Sequence, residues 1–328
     1  MVISDRFCKR YSWARVIFVF LLIAALIIGL PLPAIAEGIA SINPQADKTL
    51  FCTGENATIS INLDDVADLF GYQFAVNYNP SLVNASGTFV DAFFNTSTNA
   101  SIPSGWNATC SNGKCKFAAS KVEPGTPVTG SGLLAQVTLT GATPGTFDLT
   151  ISDDVLSDRD ALAITHGKTS LHLIIGGYAT VSGTVSLQGR ITPVNTGRVT
   201  LADPNNIFGP YTASFNSATG AFTLSNVKVM PGGSSYQFNI SHDLYLGNQT
   251  AHTLNPLDNY TAPVARLLGG DANNDGAIDL SDLTCIGGSF GNAPVTCGTT
   301  GSSDINANGT VNILDLVLTG GNYGLTAP

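Results

Sequence analysis

The stretch GDANNDGAIDLSDL, residues 270–283, puts Asp or Asn at every second position, then a glycine, then a carboxylate just before an apolar run. Counted from Asp271, loop positions one, three, five, nine and twelve are Asp271, Asn273, Asp275, Asp279 and Asp282. Gly276 stands at six and the carbonyl of Ala277 at seven. Calcium takes six to eight hard oxygen ligands, and this spacing wraps them around one ion while the glycine makes the sharp turn. The pattern returns 33 residues later as Asp304, Asn306, Asn308, Asn312 and Asp315, with Gly309 at six and the Thr310 carbonyl at seven. An ordinary Asx-rich loop has no reason to repeat the whole spacing and to end each time on an apolar helix. Loop one carries four carboxylates and loop two carries two, so two calcium ions are expected, the second held more weakly.

Other chemistry is sparse. GGSFG at residues 287–291 has the form of a nucleophile elbow, but that motif needs a strand before the serine, and Ser289 follows a predicted helix, where glycines act as caps. His166, His172, His242 and His252 are scattered without metal-ligand spacing. Asp153 and Asp154 lie in a turn-like SDDVLSDRD stretch and read as solvated carboxylates or a minor cation site, not an acid/base couple. The chain is expected to have no enzymatic activity of its own. It holds 14 basic and 23 acidic residues; without a leader at 1–36, 10 basic stand against 22 acidic. An acidic chain with no basic patch releases no counterions from a phosphate backbone, so nucleic acid is set aside as a partner.

The elements that must position the loops follow from patterning. Lys9, Arg10 and Arg15 precede an uncharged apolar run at 16–30 and an AIA at 34–36, the pattern of a secretory signal; a secreted or cell-surface protein is expected. From residue 37 to 177, short runs alternate apolar and polar positions: Ile59, Ile61, Leu63; Tyr72, Phe74, Val76, Tyr78; Ala135, Val137, Leu139; Phe147, Leu149, Ile151. Such period-two runs, divided by turn signals, predict an antiparallel sandwich. Residues 178–252 repeat the pattern on shorter strands, a small seven-stranded sandwich, and 253–268, with Pro256 and Pro263, reads as a linker. Residues 269–328 hold the two loop-helix repeats, which must stack to bury a shared core. Five cysteines lie outside the leader. Asn112-Gly113 is a two-residue hairpin turn that sets Cys110 opposite Cys115, and Cys285 and Cys297 are placed to tie the first helix to the segment after it. Cys52 is left over and is expected to be half-buried.

With these residues in view, 269–328 resembles a type I dockerin: two calcium loop-helix units of this repeat length, each with Asp at position twelve. In that light 37–177 resembles a cohesin, the dockerin's receptor, through DLFGYQFAVNYNPSLV and GSGLLAQVTLT. Residues 178–252 resemble carboxypeptidase regulatory-like or prealbumin-like modules. The fold class is then mostly β: a cohesin-like jelly-roll sandwich and a small seven-stranded sandwich, followed by a small α-helical dockerin. The resemblance implies a secreted scaffold that assembles extracellular carbohydrate-active complexes. Dockerin-bearing proteins would bind 37–177, with Gln73 and Asn77 on the outward face of their strand, as is Ala75. Cohesin-bearing proteins would bind 269–328. Dockerins of the best-known kind carry hydroxyl residues at loop positions ten and eleven, where this chain has Leu280-Ser281 and Ile313-Leu314, so a more apolar contact is expected. Two other readings stay open: a surface adhesin that binds polysaccharide directly, and an accessory subunit of a glycoside hydrolase system. Whether the chain also associates with itself, head to tail or by closing, is left undecided by the sequence.

Overall fold

The computed structural model describes residues 39–190 and 197–328. The expected leader at 1–36 lies outside the described residues.

The first unit contains β1 (Ala40–Ala46), β2 (Leu50–Cys52), β3 (Asn56–Leu69), β4 (Gly71–Asn77), β5 (Val83–Phe89), β6 (Ala100–Ser101), β7 (Asn107–Ser111) and β8 (Lys114–Lys121). It continues through β9 (Val128–Gly141), β10 (Gly145–Ser157), β11 (His166–Lys168) and the first part of β12 (Leu171–Leu187). One sheet runs β11-β1-β3-β9-β5; the other includes β12-β10-β4-β8, with β6 and β7 both paired to β8. The alternation seen in the sequence sets which sheet face is wet. Ile59, Ile61 and Leu63 of β3, Val137 and Leu139 of β9, and Leu149 and Ile151 of β10 point into one core with Phe74 and Phe117. Those two rings stack at 5.2 Å. Each such side chain withdrawn from water contributes about 1.5–3 kcal/mol, and the β3–β9 register that aligns Ile59 with Val137 keeps both on the same face.

The second unit takes the rest of β12 with β13 (Arg198–Ala202), β14 (Tyr211–Ser214), β15 (Ala221–Val229), β16 (Ser234–His242), β17 (Tyr245–Leu254), β18 (Asn259–Thr261) and β19 (Ala265–Gly269). Val181, Val199, Leu201, Val227, Tyr236, Phe238 and Leu267 form its centre. Here the structure departs from the sequence reading twice. Residues 253–268 are not a linker: β17 runs to Leu254, and β18 and β19 pair in parallel with β12. Pro256 and Pro263 fall outside the strands, where a missing N–H removes no ladder bond. Nor do the two sandwiches divide at 177/178, because β12 passes through that point unbroken and carries both.

The third unit has two helices, α1 (Leu280–Gly288) and α2 (Ile313–Gly321). It is tied into the second: Ala272, Ile286, Ile305, Val311 and Leu318 belong to the same core as the small sandwich. Gly189, just past β12, lies against the Leu318 side chain, which a Cβ there would strike at 2.6 Å. Tyr245 Oη donates to the carbonyls of Gln188 and Ile305, and Asn322 Nδ2 donates to Gln188 Oε1 and Gly269 O. Among the described residues no helix is long and apolar enough to cross a membrane.

Candidate functional site

In loop one the side chains fold inward onto the loop's own amides. Asp271 accepts from the N–H groups of Asp275 and Gly276, each at 3.0 Å, and Asn273 Oδ1 accepts from Asp275 at 2.9 Å. Asp282 reaches back from the first turn of α1 to accept from Asn273 at 3.1 Å and Asp279 at 2.8 Å. Asp279 caps that helix through the N–H of Ser281, and Asp275 accepts from Ala277. Gly276 has φ +86°, open to glycine at little cost.

Loop two repeats these bonds one for one. Asp304 accepts from Asn308 and Gly309, Asn306 from Asn308, and Asn308 from Thr310. Asp315 accepts from Asn306 and Asn312, and Asn312 caps α2 through Leu314. Gly309 has φ +89°. The two loops also brace each other's units. Ile278, at position eight, exchanges backbone bonds with Gly324 and Leu325 beyond α2, while Val311, at position eight of the second loop, does so with Gly291 and Asn292 beyond α1.

Some of these bonds are what any capped helix makes. What exceeds capping is burial: Asp282 and Asp315 are 0% exposed, Asp271 4% and Asp304 7%. None of the ion pairs among the described residues brings a Lys or Arg to them. Burial pushes the Asp271 and Asp282 carboxyls above the usual carboxylate range, and the neighbouring Asp275 carboxylate adds to it. A buried carboxylate without a cationic partner is unfavourable by several kcal/mol. Among the described residues no group of three or more His, Cys, Asp or Glu is gathered to hold a metal. The loops instead mix carboxylates with Asn amide oxygens and a backbone carbonyl. That all-oxygen set suits a hard cation of calcium's kind and not a transition metal.

Beside the loops the helices present apolar side chains to water. Leu280 is 66% exposed, Ile313 58% and Leu314 55%. Ser281 is exposed too, and Val317, one turn after Ile313, joins the same flank of α2. The i, i+4 spacing of Ile313 and Val317 is legible in the sequence; what hid Val317 is that an amphipathic helix normally turns such a pair inward.

On the first sandwich, Gln73 and Asn77 lie half-buried on β4 and bond to β10, Gln73 at its bulge and Asn77 just before it. Gln73 Nε2 donates to Asp153 O at 3.0 Å, and Asn77 Nδ2 to Thr150 O at 3.3 Å and Thr150 Oγ1 at 3.1 Å. Ala75 shares their face but is fully buried there, because β4 runs mid-sheet between β8 and β10. The same surface holds an ion pair, Lys114–Asp153 at 2.9 Å, and Lys116 Nζ 5.5 Å above the Trp106 ring. Sequence reasoning did not find these, although the Asn112-Gly113 hairpin fixes Lys114 and Lys116 on the face opposite Cys115.

Cys110 and Cys115 are cross-strand partners joined by a disulfide, and a second joins Cys285 to Cys297. Cys52 is free and fully buried, and desolvation raises its thiol pKa. Ser289 is 4% exposed and donates to Cys285 O at the end of α1, so GGSFG is a helix cap and not an elbow.

No curated protein matches the chain. Among solved structures it is similar to a type II cohesin domain from the cellulosome of Acetivibrio cellulolyticus, at 18% identity over 42% of this chain and 95% of that one, with a TM-score of 0.35. A type I cohesin–dockerin complex from Clostridium thermocellum matches at 11% identity over 44% of this chain and 98% of that one, TM-score 0.36. A non-cellulosomal cohesin from Archaeoglobus fulgidus matches at 10% identity over 42% and 91%, TM-score 0.32. Over residues 45–172, which build most of the first sandwich, the sequence matches the family model of the cohesin domain.

Proposed function

We propose that this chain is a secreted, non-catalytic assembly protein that joins extracellular carbohydrate-active components through cohesin–dockerin binding. The observation that carries the reading is the combination, on one chain, of a cohesin-domain match at 45–172 with a C-terminal pair of buried-carboxylate loops whose helices expose apolar side chains. The first sandwich receives a dockerin on the surface of β4, β8 and β10, where Gln73, Asn77, Lys114 and Trp106 lie. The C-terminal unit is a dockerin and enters a cohesin on another protein with Leu280, Ser281, Ile313, Leu314 and Val317. Two disulfides agree with an oxidising compartment outside the cytosol.

Calcium is held in loop one by Asp271, Asn273, Asp275, the Ala277 carbonyl, Asp279 and Asp282, and more weakly in loop two by Asp304, Asn306, Asn308, the Thr310 carbonyl, Asn312 and Asp315. When bound, the ion supplies the positive charge that the buried carboxylates lack, which stabilises the folded loops. The chain's own residues do the rest: Asp282 and Asp315 fix the first turn of each helix, and the position-eight bonds set the helices against each other.

The reading is tested by titrating the chain without its leader against a panel of purified cohesins, with calcium and with chelator. Binding in calcium that chelator abolishes, and that Leu314→Asp weakens by at least about tenfold, is expected. Binding that ignores both would remove the dockerin assignment.

A further inference from the structure

We infer that the chain is a rigid strut with two ends, whose cohesin-like and dockerin-like ends are held too far apart to engage each other within one molecule. Each end therefore takes its partner from another polypeptide. What the ends bind rests on the proposed function; the separation rests on the fold alone.

The strut is β12. Its 17 residues span about 50 Å at ~3.3 Å per residue. Partners hand over along it without a gap. β10 pairs up to Ile175 and β2 up to Gly176; β15 takes over at Gly177 and β18 at Thr180, and β19 covers Val185 to Leu187. A strand free of neighbours at the boundary would be a hinge, but here every peptide across 174–182 lies beside another strand. The junction is also closed by side chains. Lys228 of β15 pairs with Glu55 at 2.7 Å, Tyr178 Oη donates to Glu55, and Gly177 is so close to Pro256 and Pro144 that a Cβ would strike both. The bulge between Ala179 and Val181 bends the strand locally without unpairing it.

The two ends sit at opposite limits of this strand. The helices are anchored to Gln188 and Gly189, just past its C-terminal limit. At the other limit Leu171 pairs with Leu149, and the part of β10 that carries β4, from Thr150 to Ser157, lies beyond that pair. Gln73 and Asn77 are thus further from the helices than the length of β12. If the two ends were complementary, copies would join head to tail, in a ring or an open chain, and none would close on itself as a monomer.

The test is a pulsed electron-spin distance measurement in calcium on the full chain without its leader, with nitroxides at His172→Cys and Val317→Cys; both positions are exposed, and buried Cys52 stays unlabelled. A second pair, Asp160→Cys with Thr284→Cys, guards against a local fold defect in the first. A single narrow separation near ~50 Å for the first pair, and a longer one for the second, is expected. A broad distribution, or a short separation in either folded variant, overturns the strut. The unsubstituted, unlabelled chain without its leader is then offered cohesins and dockerins. If it binds neither while the distances hold, the proposed function fails and the strut stands.

Discussion

The residues that matter most are the carboxylates at position twelve. Asp282 and Asp315 are both fully buried, and each ties its loop to its helix by two backbone bonds. With more carboxylates in loop one, Asp282→Asn is expected to weaken the tighter of two calcium events on the order of tenfold or more, while Asp315→Asn weakens the weaker one. Calorimetric titration of the two variants checks the assignment; identical effects would contradict the ranking of the loops. The turns of both loops were legible because their bonds are local, every partner lying within twelve residues of the first. Val317, Lys116 and Trp106 were not. Lys116 meets Trp106 only because β7 folds back on β8, and Val317 is exposed only because α2 buries Leu318 and Thr319 instead.

At the scale of elements, β12 has the greatest influence. The sequence carried its alternation but not its continuity: two glycines, Gly176 and Gly177, stand where a domain boundary is usually read. They are there because Cys52 Sγ and Val229 O approach one and Pro256 the other, leaving no room for a side chain. The parallel strands β18 and β19 were missed for a related reason, since three to five residues on either side of Pro263 give no periodicity until a partner strand is known.

The junction's ion pair gives a pH dependence. The bond from Lys228 holds the Glu55 carboxyl below its usual range, and Glu55 in turn raises Lys228. A lowered carboxyl contributes above its unfolded value of ~4.3 and loses that contribution as the pH falls through the folded value. A raised lysine contributes below ~10.4 and loses it as the pH rises through the folded value. Stability of the paired sandwiches should therefore drop on both flanks of that window, and Glu55→Gln should flatten part of the acid flank in thermal unfolding across pH. An unchanged acid flank would show that the pair contributes nothing. At the other end of β12, Leu318→Ala should cost about 2–5 kcal/mol and raise hydrogen exchange in α2 and in residues 187–190 together. Exchange rising in α2 alone would mean that the helices fold independently of the small sandwich.

Over the whole molecule, three units form a continuous body. Two sandwich cores share one strand, and the helical unit shares the second core. The mostly β class and an N-terminal sandwich, read at 37–177, were readable from period-two alternation, because burial on one face of a sheet imposes it. The fusion of the units was not, because it depends on which strands pair across long sequence separations. The proposal that this body bridges two different proteins is checked by a three-component capture: a cohesin fixed to a surface, this chain added in calcium, and then a dockerin-bearing protein. For a matched cohesin and dockerin the third component is expected to be retained only through the chain, and to be released with it by chelator. Retention of the third component without the chain, or failure of every pairing in a panel of cohesins and dockerins, would contradict it.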